Sequence, residues 1–104
     1  MAKLVNLTPH AIVVAGITIP PSGQVARVTM RQWNMGLING IPIVREIPDE
    51  LVGLPEPTDG TLYIVSRVVA AAAGLRDDIL VPGNPVRDDQ GKIIGVENLA
   101  IPYR

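Results

Sequence analysis

Cysteine and phenylalanine are both absent from this chain of 104 residues, and tryptophan appears once. Without cysteine there is no disulfide, no thiolate metal site and no cysteine nucleophile, a usage that suits a reducing cytoplasm. Trp33, Tyr63 and Tyr103 are the only aromatics, so the core has to be built from Val, Ile, Leu and Ala. Neither sign of charge dominates: nine Lys and Arg against ten Asp and Glu leave a net −1. A chain with no basic block lacks the electrostatic footprint of a DNA or RNA binder. A Lys/Arg-rich amphipathic face for a membrane surface is missing too. No apolar run nears the ~20 residues that cross a bilayer. The first residues carry one Lys and are broken by Asn6 and Pro9-His10, too polar for a signal segment. The expected setting is cytoplasmic, with neither nucleic acid nor membrane as partner.

What the chain does contain is enough apolar sequence, 47%, for one core in one domain spanning residues 1–104. Residues 60–83 are its best-patterned stretch. Residues 61–65 are β-branched and aromatic with no breaker, and read as a short buried strand. Ser66 then offers an N-cap, Val68, Val69 and residues 70–73 continue a helix, and Gly74 stops it. A second apolar run, residues 79–81, ends at Pro82-Gly83. The intervening segment is about the dozen residues that a parallel crossover needs, so a parallel pair and an antiparallel sheet capped by the helix both remain open.

Elsewhere the pattern is of short strands and turns. Residues 3–7 form a first strand, broken at Thr8-Pro9-His10 because Pro cannot donate to a ladder. Residues 11–14 and 17–19 flank Ala15-Gly16; Ala fits a primed turn poorly, so a longer bulged loop is the alternative to a tight hairpin. Residues 24–30 alternate as a half-exposed strand after the Pro20-Pro21-Ser22-Gly23 turn, whereas residues 31–35 have no clear period. Asn39-Gly40 is the strongest hairpin signal, and Pro42 pushes the returning strand to a sheet edge. Residues 47–60, with Pro48, Gly53, Pro55, Pro57 and Gly60, read as a connecting loop. Asp88-Asp89-Gln90-Gly91 closes another hairpin, and residues 99–101 add a last strand. The expected fold is α+β and mostly β: a small mixed or antiparallel sheet, or a barrel-like domain, of about seven to nine short strands with one short helix. Exposed strand edges associate readily, which points to a homo-oligomer.

Candidate chemistry is sparse. At Ser66-Arg67 a cap hydroxyl, free helix N–H groups and a guanidinium can hold a phosphate or carboxylate, with Arg76 nearby in sequence. The plainer reading is that Ser66 only caps the helix and Arg67 meets solvent or Asp77 or Asp78. Neither GxGxxG nor GxxxxGK[ST] occurs. His10, the only histidine, sits beside Thr8 in the strand break, where it can face a ligand or simply belong to a turn. A Ser66–His10–Asp78 hydrolase triad can be written, but GxSxG is absent around Ser66. The pairs Asp77-Asp78 and Asp88-Asp89 fall short of the six or more oxygens a hard cation takes. Neither a metal nor a cofactor is expected. Trp33 is either a recognition anchor or the one large side chain closing an aliphatic core.

Certain motifs carry a resemblance as a set: Asn6-Leu7-Thr8-Pro9-His10-Ala11-Ile12, Ile19-Pro20-Pro21-Ser22-Gly23, Gly53-Leu54-Pro55-Glu56-Pro57 and Gly60-Thr61-Leu62-Tyr63-Ile64-Val65-Ser66. Arg76-Asp77-Asp78, Val81-Pro82-Gly83 and Val86-Arg87-Asp88 complete the order. Over nearly its whole length the chain resembles a group of small proteins found in bacteriophages, prophages and their bacterial hosts. The resemblance implies a phage-associated origin, with the host cytoplasm as setting, and brings no activity, cofactor or catalytic residue with it. Small phage proteins of this kind often act by stoichiometric binding, an analogy of origin alone.

Three functional readings follow. The leading one is a non-catalytic binding protein that takes a small anionic, nucleotide-like ligand at Thr8, His10, Ser66, Arg67 and Arg76. The alternative is a protein-interaction or inhibitor module acting on a host or phage protein through residues 31–35, Trp33 among them, or through the edge near Pro42. The third is a small hydrolase using Ser66 and His10.

Overall fold

The computed structural model describes residues 2–102, so Tyr103 lies outside the described residues. The elements are β1 (Lys3–Asn6), β2 (Ile12–Val14), β3 (Ile17–Ile19), β4 (Arg27–Ile38), β5 (Ile41–Val52), β6 (Thr61–Ile64), α1 (Arg67–Ala73), β7 (Ile79–Pro82), β8 (Pro85–Arg87), β9 (Ile93–Val96) and β10 (Leu99–Ala100). The expected mostly-β, α+β architecture is what forms. The barrel-like variant is not: the strands divide among open sheets ordered β1-β6-β7-β10, β3-β2-β9-β8 and β4-β5.

The first sheet holds the core. β6 pairs in parallel with both β1 and β7, so α1 is a crossover between two parallel strands. That settles the question left open by the length of the 66–78 connection. Helix start and stop are local chemistry: Ser66, extended at φ −70 and ψ 162, accepts from the Val69 N–H, and Gly74 ends the helix at φ 75. Val69 and Ala70 face inward against Leu7, Tyr63, Val65, Ile79 and Val81, all buried to 7% exposure or less. The aliphatic core anticipated from the missing Phe is therefore present, with Tyr63 its only buried aromatic among the described residues.

The second sheet, also of four strands, is more exposed. β2 and β3 are joined by Ala15-Gly16 alone, with φ of 50 and 80. These are the signs of a primed two-residue turn, so Ala15 tolerates the left-handed region here and no longer loop replaces it.

The third sheet departs most from expectation. β4 and β5 are twelve residues each and pair only with one another, around Asn39-Gly40 at φ 51 and 76. Residues 31–35 are mid-strand rather than unpatterned, and β5 runs through Pro48 to Val52, where a loop was expected. Pro42 does lie on an edge, as anticipated. Register shifts at Val28/Met30 and Asn34/Leu37 interrupt the alternation. The arm extends the molecule to 53 × 40 × 27 Å and a radius of gyration of 16.5 Å. A compact domain of this length has about 13 Å.

Candidate functional site

The Thr8–His10 break is organised by one side chain, the buried amide of Asn6. Its Nδ2 donates to the His10 and Ile19 carbonyls at 2.8 and 3.1 Å, and its Oδ1 accepts from the Thr8 N–H at 2.9 Å. The Thr8 hydroxyl lies 2.6 Å from Asn6 Oδ1 and 3.0 Å from the His10 carbonyl, and its single proton serves one of them at a time. Asn6 is 1% exposed and uses both donors and its acceptor, so it joins the ends of β1 and β3 without an orphaned polar group.

Of the five residues expected to share a ligand, the structure brings two together. Thr8 and Ser66 line one depression of about 290 Å³, with Leu7, Ala26, Val69 and the guanidinium-bearing Arg27. Arg67 is exposed on the first turn of α1. His10 lines a different depression, with Ile12, Pro82 and Ile93. Arg76 is committed elsewhere: its Nε and Nη2 donate to Asp78 Oδ1 and Oδ2 at 2.9 and 2.6 Å. Both side chains are largely buried, at 20% and 14% exposure. Hydrogen bonding from Arg76, more than its charge alone, holds the Asp78 carboxyl below the usual carboxylate range against the opposing effect of desolvation. The same bonds raise Arg76 above its ordinary value.

The hydrolase triad is not assembled. Asp78 is held by Arg76, the Ser66 hydroxyl caps Val69, and His10 and Ser66 line separate depressions. In the β8–β9 turn, Asp88 Oδ1 accepts from the Gln90 and Lys92 N–H groups, an Asx-type closure that accounts for the acid there.

The arm carries the largest exposed apolar surface. Side chains alternate between its faces, and cross-strand partners share one. Val28 and Leu51, packed on the core, define the inner face, which continues outward through Met30, Pro48, Asn34 and Val44. The outer face presents Trp33 opposite Arg45, Arg31 opposite Ile47, and Ile38 opposite Ile41. Trp33 is 63% exposed, Leu37 70%, and Ile38 and Ile41 61% each. An Arg31–Asp49 ion pair at 3.0 Å and the Thr29 hydroxyl, which accepts from the Glu50 N–H at 3.0 Å, knit the arm crosswise. Trp33 is thus an exposed side chain and does not close the core.

A second apolar feature escaped the sequence reading. On the β2–β9–β8 face, Val13, Val86 and Ile94 line a groove of about 440 Å³ with Gly95 and Val96, and Glu97 stands on its wall. A Cβ at Gly95 would meet the Val13 carbonyl oxygen at 2.7 Å, so glycine permits the close approach of β2 to its neighbour β9. The lone Gly95 within an apolar strand was the available signal. Among the described residues, no helix is long and apolar enough to cross a membrane. Comparison with protein-family models, with curated proteins and with solved structures finds no match.

Proposed function

We propose that this chain is a non-enzymatic binding protein that acts by laying its 27–52 arm against another protein surface. The observation that carries the reading is the arm itself: two paired strands whose outer half exposes Trp33, Met35, Leu37, Ile38 and Ile41 by half or more of their surface. A lone two-stranded ribbon is marginal in water, and contiguous apolar patches of this kind mark interaction sites. Trp and Met are also suited to such contacts, one as a rigid anchor and the other as an adaptable one. The resemblance to phage-associated proteins agrees with stoichiometric binding in a host cytoplasm. A photo-crosslinking side chain at position 37, in the expressing cell, tests it. A discrete protein adduct is expected there and not from the same group at Leu75, an exposed site on the body. No adduct, or equal adducts from both positions, would overturn the reading.

A second reading keeps the small anionic ligand but moves it to the depression shared by Thr8 and Ser66, with Arg27 as the guanidinium. Its support is that these polar groups, far apart in sequence, converge on one surface. Calorimetry against nucleotides and cyclic dinucleotides should give saturable binding that Arg27→Ala abolishes. Silence across the panel would remove this reading.

A further inference from the structure

We infer that the surface the arm covers is a second copy of this chain, with the Trp33 face of one arm seated on the Gly95 groove of its neighbour. The inference rests on the arm being the docking element, and it names the partner.

The first support is area. The chain exposes 7501 Å². A compact monomer of 11.1 kDa exposes about 5,700 Å², so this chain carries roughly 1,800 Å² more than its mass requires. In a head-to-tail contact each copy gives one arm side and one groove side. An excess of roughly 1,800 Å² per copy therefore matches one interface of about 1,800 Å² in total, within the roughly 1,200–2,000 Å² of specific, stable interfaces.

The second support is that two of the exposed apolar clusters complement one another. The arm is one; the β2–β9–β8 groove is the other, where Val13, Val86 and Ile94 are 39%, 36% and 53% exposed. Two arms meeting each other would cover the first and leave the second open to water. An arm on a neighbouring groove covers both with one contact. Repeated around an axis, that head-to-tail contact closes a ring if the rotation allows.

Charge favours the same arrangement. The Trp33 face carries Arg45 beside the Arg31–Asp49 pair, and the groove wall carries Glu97. Seating arm on groove brings Arg45 and Glu97, opposite in sign, to one interface.

Trp33 is the only tryptophan, so its emission reports on the arm alone. Sedimentation should show an oligomer with blue-shifted Trp33 emission that turns red on dilution. Val86→Glu in the groove and the double variant Trp33→Ser/Ile38→Ser in the arm should each weaken self-association at least tenfold. Mixing these two should restore a heterodimer, because one intact arm meets one intact groove. A wild type that is monomeric with red emission at every concentration would overturn the inference. So would a folded Val86→Glu that associates like wild type. If Val86→Glu does not fold, judged by circular dichroism, Ile94→Lys replaces it. A monomeric wild type that still gives a position-37 adduct with a different protein would sink self-association and leave the arm reading standing. Loss of that adduct would remove both.

Discussion

The body and the arm are made from the same kinds of residue, yet they are held by different means. In the body, Leu7, Ile64, Val65, Ile79 and Val81 are at most 1% exposed and pack around the parallel β1–β6–β7 strands and α1. In the arm, β-branched and aromatic residues of similar hydrophobicity are mostly exposed, and only the Val28–Leu51 end reaches the core. Burial stabilises by roughly 25 cal/mol for each Å² of apolar surface removed from water. The body realises that gain within the chain; the outer arm has yet to realise it. A core buried within the chain and an apolar ribbon left exposed by it thus coexist in one molecule.

The sharpest way to break the body is through its polar hub. Asn6→Ala would strand the His10 and Ile19 carbonyls and the Thr8 N–H, and should cost about 4 kcal/mol, read from the shift of the urea midpoint. Gly53 stands where the arm returns to the body, at φ 82, and a Cβ there would overlap the Val25 carbonyl oxygen. Gly53→Ala should cost about 3 kcal/mol through clash and left-handed strain together.

Next is the Arg76–Asp78 pair, where Asp78→Asn should cost about 2 kcal/mol at neutral pH. The carboxyl is held below its unfolded value, so the pair's contribution is complete above the unfolded carboxylate pKa. It fades as pH falls through the lower, folded value. The gap between wild type and Asp78→Asn should therefore close on acidification; a gap constant with pH would contradict the assignment. The smallest effect on folding belongs to the arm. Trp33→Ser should change the stability of the dissociated chain by no more than about 0.5 kcal/mol, while lowering its association. A large loss of stability in the dilute chain would mean that Trp33 supports the fold directly.

Legibility in the sequence follows the same division. The helix was readable from Ser66 to Gly74 because cap and stop are local chemistry, and Asn39-Gly40 was readable for the same reason. The arm's length was not, because Pro42 and Pro48 argue against a strand wherever both edges are paired, and here the outer edge is free. Its two register shifts also break the period of two on which a strand is recognised. Parallel pairing of β6 with β7 is a tertiary choice that the length of the crossover permits and does not dictate. Of the candidate ligand residues, Thr8 and Ser66 do converge. His10 is turned to another surface because the chain bends around the Asn6 amide between them. Arg76 and Asp78 stand two apart in the turn that leads into β7, where opposite charges so close in sequence could have been paired in advance.

Hydrogen exchange followed by mass spectrometry, at high and low protein concentration, sets the two regions side by side. At high concentration, amides of residues 27–52 should be protected to an extent approaching residues 61–82. On dilution the arm should exchange fast while the body keeps its protection. An arm that stays protected in the dissociated chain, or one that exchanges fast at every concentration, would contradict the claim that a second copy covers it.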